Sequence, residues 1–143
     1  MLATADESEG GDPPCWAHLF DDAACSQEAA PVDLAALARS GPDRGVAWAH
    51  QGEDLSANLV VFGPGEGVAE HVNAEVDVLL VGAMGEGVVV IGGREHALGT
   101  GQAVVVPKGV PRATRAGEGR FAYLTCHRRR AGLWPAGVAR PAP

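Results

Sequence analysis

Cysteine is scarce in this chain, and none of it pairs by spacing. Cys15, Cys25 and Cys126 are odd in number and form no C-x-x-C, which fits free thiols in a reducing compartment rather than a disulfide framework. Long apolar runs are missing as well: no segment approaches the roughly 18 continuous apolar residues that a membrane-spanning helix needs. The opening MLATADESEGG has neither a basic region nor an apolar stretch, so no secretory leader is expected and the cytoplasm is the expected compartment. There is no nucleophile elbow and no phosphate-binding loop. GAMGEG at 82–87 leads into another strand-like segment, without the helix a dinucleotide fingerprint requires.

Basic residues are few in the first half. Residues 1–77 hold 15 acids and 2 bases, a net of −13, whereas residues 78–143 hold 3 acids and 9 bases, a net of +6. The overall charge of −7 argues against a general nucleic-acid binder. Two halves of opposite charge are expected to pack together and neutralise each other. Neither nucleic acid nor membrane is an expected partner.

A length of 143 residues with 20 glycines describes one domain with many tight turns. The informative stretch is GPGEGVAEHVNAEVDVLLVGAMGEGVVVIGGREHALGTGQAVVVPKGVP, from Gly63 to Pro111. Val76–Ala83, Val88–Ile91 and Ala103–Val106 are short runs of Val, Leu and Ile bounded by Gly or Pro, which predicts a meander of β-strands. Gly92–Gly93 between two such segments is a two-residue hairpin signal, because glycine tolerates the positive φ those turns need. Gly45–His50, Ala57–Phe62 and Phe121–Cys126 add further strands. Residues 113–118 read as a polar connection. Many short strands at close spacing predict an all-β sandwich or barrel.

Pro31–Ser40 is the best helix in the chain. Leu34, Leu37 and Ala38 share one face, Asp33 sits at the N-terminal end, and Gly41–Pro42 stops it. Its expected role is to cap a barrel end or a sheet edge. Residues 1–14 are acidic, small and glycine-rich, and are expected to stay disordered. Residues 15–130 form the folded domain, with Trp16, Leu19 and Phe20 anchoring its start. Residues 131–143 form a Pro/Gly-rich tail that Trp134 pins to the body or to a second subunit.

Two spaced motifs resemble those of the cupins. Gly65-x5-His71-x-Asn73, followed by Gly85, resembles the first cupin motif: a glycine, five residues, His-x-His, three or four residues, Glu, six residues and a glycine. Gly101-x5-Pro107-x-Gly109-x2-Arg112-x3-Ala116 is similar to the second, whose glycine and proline skeleton it matches throughout. The resemblance implies a double-stranded β-helix, or jelly roll, with one short peripheral helix, often as a dimer.

The resemblance extends to the scaffold more than to the site. Metal-binding cupins use three histidines and a glutamate. Here His71 stands at the first histidine, Asn73 at the second and Arg112 at the third, while the glutamate position falls on Asp77 or Val78. Two strong donors, His71 and Asp77, beside a permanent guanidinium make a poor site for a first-row divalent ion. No cofactor is expected; the alternative is iron, zinc or manganese held by His71 and Asp77.

Without a metal, His71, Asn73, Glu75 and Asp77 alternate so as to share one face of a continuous strand. Arg112 is expected to project into the same cavity and hold a carboxylate or phosphate through its fork. The bland account is an ion-pair network of Arg112 with Asp77 or Glu75. The expected function is a small-molecule-binding module for a small anionic or polar ligand. The alternatives are an isomerase, epimerase or metal-dependent dioxygenase using His71 with an acidic partner, and a structural or regulatory dimer. A homodimer is expected in any case, because the edge strands of a small jelly roll present unpaired backbone groups. Trp16, Trp48 and Trp134 offer apolar surface for it. His50 and His96 are weak site candidates, and His127–Arg130 reads as a solvated charge run or a phosphate grip.

Overall fold

The computed structural model describes residues 30–129. Residues 1–14, Cys15, Trp16, Leu19, Phe20, Cys25, Arg130 and the 131–143 tail, each given a role above, lie outside the described residues. One helix, α1 (Leu34–Ser40), precedes nine strands among the described residues. These are β1 (Gly45–Gln51), β2 (Leu55–Phe62), β3 (Gly67–His71), β4 (Val78–Met84), β5 (Glu86–Ile91), β6 (Arg94–Gly99), β7 (Ala103–Val106), β8 (Arg112–Ala116) and β9 (Phe121–Arg128). They form a larger sheet in the order β1-β2-β9-β4-β7 and a smaller one in the order β3-β8-β5-β6. All pairings are antiparallel. Two facing antiparallel sheets with this connectivity make the all-β jelly roll that the turn-and-strand pattern predicts.

Period-two alternation sorts each strand into an inner and an outer face. Val60 and Phe62 of β2, Phe121 and Tyr123 of β9, and Val78 and Leu80 of β4 meet Val89, Leu98 and Ala116 of the smaller sheet in the main core. The residues between them point outward. Leu59, Val61 and Ala122 form a second cluster with Ala38, and Leu34, Leu37, Trp48 and Leu124 pack against it. Helix α1 therefore covers the outer face of the larger sheet rather than a barrel end or a sheet edge. Asp33 is its N-cap and accepts from the Ala36 N–H at 3.0 Å. The helix opens at Leu34 rather than Pro31, because the extended Asp33 must precede the first turn to cap it. Arg120 holds the other end: its guanidinium donates to the carbonyls of Ala38, Gly41 and Pro42 at 3.0, 2.9 and 2.6 Å. Trp48 is thereby engaged beside the helix.

Residues 113–118 are not a connection: β8 occupies Arg112–Ala116. Its burial alternates, with Arg112, Thr114 and Ala116 buried. A strand whose inward residues are an arginine and a threonine carries no apolar period, which hid it. The Gly92–Gly93 hairpin is present, with φ of 57° and 83°, and joins β5 to β6.

Candidate functional site

The two sheets are fixed against each other by a hydrogen bond between the Thr114 hydroxyl of β8 and the Tyr123 hydroxyl of β9, 2.8 Å apart and buried. β8 and β9 are joined by residues 117–120, so moving from Thr114 to Arg112 and from Tyr123 to Thr125 leads toward the same open end. One step along from that bond stand Arg112 on β8 and Thr125 on β9, and Thr125 pairs in register with Asn58 of β2 and Leu80 of β4. Arg112 is 9% exposed and stands in register between His71 of β3 and Ile91 of β5. Sequence spacing thus led to one pair, His71 and Arg112, that the fold sets side by side.

The other candidates fare differently. Strand β3 ends at His71, and the chain turns through Asn73 instead of continuing. The Asn73 Oδ1 accepts from the backbone N–H groups of Glu75 and Val76 at 3.0 and 3.3 Å. Two N–H donors demand an acceptor, so the amide orientation is set and Nδ2 carries the hydrogens. Nδ2 is buried and finds no acceptor among the described residues. Glu75 and Asp77 are both exposed, and the Asp77 carboxylate accepts from the Lys108 N–H at 2.9 Å. With the Gly109 N–H donating to the Asn73 carbonyl at 2.7 Å, Asp77 and Asn73 tie the β3–β4 connection to the β7–β8 connection. His71 is half-buried, and its Nδ1 lies 2.9 Å from the Ala69 carbonyl. A carbonyl only accepts, so Nδ1 carries the proton in this contact and Nε2 is the basic nitrogen.

His96 lies exposed on the edge strand β6, in register with the core residue Val89 and in phase with Leu98. His50 alternates with the core residue Ala49 and so takes the outer face of β1. In the His127–Arg130 run, Arg128 and Arg129 donate to the Glu75 and Gly52 carbonyls at 3.4 and 3.3 Å. Sequence reading missed the polar residues on the inner face of the larger sheet: Asn58, Ser56 and Thr125. The signal was there, since Asn58 is in phase with Val60 and Phe62 and must share their face.

Tyr123 is the one tyrosine of the chain, so its ionisation can be read directly. Its phenol is pushed up from 10.0 to about 12 by burial, with the Thr114 hydrogen bond and the Arg112 charge pulling the other way. The phenol is neutral in the folded protein and ionises earlier once unfolded. Its stabilising contribution is therefore full below pH 10 and is lost as pH rises toward about 12, a change on the order of 2 kcal/mol. An absorbance titration at 295 nm is expected to show no phenolate near pH 10 and a steep rise only with alkaline unfolding. A phenolate appearing with a midpoint near 10 in the folded chain would contradict this burial.

The architecture is that of a double-stranded β-helix with a cationic side chain inside its mouth. A family model described as "Cupin domain" matches residues 58–126. TT1209 from Thermus thermophilus is similar to this chain at 28% identity and a TM-score of 0.60, over 70% of this chain and 97% of that one. KdgF from Halomonas sp. is similar at 25% identity and a TM-score of 0.55, covering 64% and 83%. An uncharacterized conserved protein with a double-stranded beta-helix domain from Klebsiella pneumoniae subsp. pneumoniae shares the fold at 19% identity and a TM-score of 0.58, covering 71% and 90%. No curated protein matches the chain. The chain belongs to the cupin superfamily.

That membership raises the question of a metal, which many cupins hold at the positions of His71, Asn73, Asp77 or Val78, and Arg112. The residues present do not fit one. The Asn73 oxygen is spent on two backbone donors, and its remaining amide end is a donor itself. Val78 is core, Asp77 is exposed and bonded to a backbone N–H, and Arg112 repels a cation. Among the described residues, no group of three or more His, Cys, Asp or Glu side chains is placed to hold a metal ion. Nor, among those residues, is any helix long and apolar enough to cross a membrane.

Proposed function

We propose that this chain is a small-molecule-binding cupin that takes a small anionic or polar ligand in the mouth of its barrel and holds no metal tightly. Arg112 is the anion anchor, and His71 and Asn73 orient the ligand by hydrogen bonds. One observation carries the reading: a permanently charged residue, Arg112, is only 9% exposed on the inner face of the barrel. Its planar fork suits carboxylate and phosphate oxygens, and desolvation strengthens such charge-assisted bonds. The buried Nδ2 of Asn73 supports the same polarity, since it is a donor in want of an acceptor.

The test uses untagged protein. Thermal unfolding is followed with a panel of small carboxylates and phosphates, and metal content is read by mass spectrometry. A matched anion at about one hundred times its dissociation constant is expected to stabilise the fold by about 2.7 kcal/mol, an upward shift of several degrees in Tm. Near-stoichiometric iron, zinc or manganese bound through His71 would overturn the reading, as would a panel in which no anion raises Tm.

A second copy of the chain is the proposed protein partner. Leu79 and Val105 are register partners on the outer face at the β7 edge, 36% and 54% exposed, beyond the reach of α1. Sedimentation at micromolar concentration is expected to give a species of twice the chain mass, and a single species near 14.6 kDa would contradict it.

A further inference from the structure

The row of the smaller sheet that holds the anion anchor continues past it. Ile91 of β5 pairs in register with Arg112 of β8 on one side and with Arg94 of β6 on the other. His71, Arg112, Ile91 and Arg94 therefore stand in one line across β3, β8, β5 and β6. Residues paired in register share a face, and Ile91 packs against the main core. Arg94 is also in phase along β6 with the core residue Leu98. Both arginines thus rise from the inner face at the open end, two strand spacings apart, which is about 10 Å between their backbones.

Charge is sorted between the two faces of these strands. The inner faces of β5, β6 and β8 carry Arg94, His96 and Arg112 and no acidic residue, whereas Glu86 and Glu95 alternate onto the outer face. Glu95 meets Arg115 there at 3.6 Å. Arg94 enters no ion pair among the described residues. Two like charges flanking one apolar residue repel each other, and a molecule negative at both ends converts that repulsion into two attractions. One carboxylate matches the fork of one arginine, so a monoacid held by Arg112 leaves Arg94 unmatched. We infer that Arg94 is a second anion contact of the same site and that the ligand is a short dicarboxylate. One acid group lies on Arg112, the other on Arg94, and the hydrocarbon between them crosses Ile91. The inference rests on the proposed anion reading and adds the ligand class to it.

The experiment titrates the protein calorimetrically with acids matched in carbon number, butyrate against succinate and valerate against glutarate. Low ionic strength is used, because salt screens an exposed charge. Wild type is expected to bind the diacid of at least one pair about tenfold more tightly, the value of one charge-assisted hydrogen bond. Arg94→Gln is expected to bring that diacid down to about the affinity of its monoacid. Arg94 is exposed beside the β5–β6 hairpin, so the fold tolerates the change. Arg115→Gln removes the same charge from the outer face and is expected to keep the preference, which separates a contact from the overall field. Arg112→Gln is expected to weaken both members of each pair. Equal affinity for both members in wild type, with both weakened in Arg112→Gln, overturns the inference and leaves the anion reading standing. So does a preference that survives Arg94→Gln, or one that falls equally in Arg115→Gln. Absence of binding by all four acids overturns both.

Discussion

Phe121→Ala is expected to remove about 3–5 kcal/mol of folding stability, a large share of the roughly 5–15 kcal/mol that holds a domain of this size together. Phe121 is 0% exposed. It pairs in register with Phe62 across β2 and β9, and its ring centroid lies 5.3 Å from that of Tyr123. The opposite sheet is shaped to receive it: a Cβ at Gly87 of β5 would strike the Phe121 ring. Rigid backbone on one side and packed aromatics on the other leave little freedom to collapse into the hole, so the cavity cost is added to the lost transfer energy. Denaturant unfolding monitored by circular dichroism reads this as a large fall in midpoint at unchanged slope. A loss below about 1 kcal/mol would mean that the core between the sheets is not packed as described.

Arg112→Gln is expected to weaken a bound carboxylate by about 1.5–3 kcal/mol, the value of a charge-assisted hydrogen bond. That corresponds to a loss of affinity of about tenfold to hundredfold. Glutamine keeps two donors and much of the volume, so the change isolates the charge and the fork. An arginine that merely neutralised Asp77 or Glu75 would behave in the opposite way. Its removal would strand a carboxylate, lower Tm sharply and leave ligand binding unaffected. Calorimetric titration of both proteins with a carboxylate that binds wild type, paired with their melting curves, separates the two outcomes.

Much of the fold is legible in the residues because its signals are local. Ala103–Val106 is delimited by Gly101 and Pro107, and Gly92–Gly93 marks the β5–β6 hairpin, since a two-residue turn with positive φ leaves glycine little competition. β8 escapes because its inward residues are polar, and periodicity arguments look for apolar ones. His71 and Arg112 are legible through the spacing of two motifs. The spacing is readable even where the side chains differ from the motif, because the glycine and proline turns set the path of the chain. Strand alternation places Glu75 and Asp77 with His71, but it holds only while the strand continues. The strand stops at His71 and the Asn73 side chain bends the backbone, a hydrogen-bonded turn that residue order alone does not announce. Asn58 needs knowledge of what lies across the barrel, and that comes from tertiary pairing.

The most direct measurement of the central claim is a crystal structure of the untagged protein grown with a carboxylate that raises its Tm. The account predicts planar density in the mouth of the barrel, its oxygens about 2.7–2.9 Å from the Arg112 guanidinium nitrogens, with His71 or Asn73 completing the contacts. A spherical peak coordinated by His71 at about 2.0–2.2 Å, with Arg112 turned away and the carboxylate elsewhere, would contradict it.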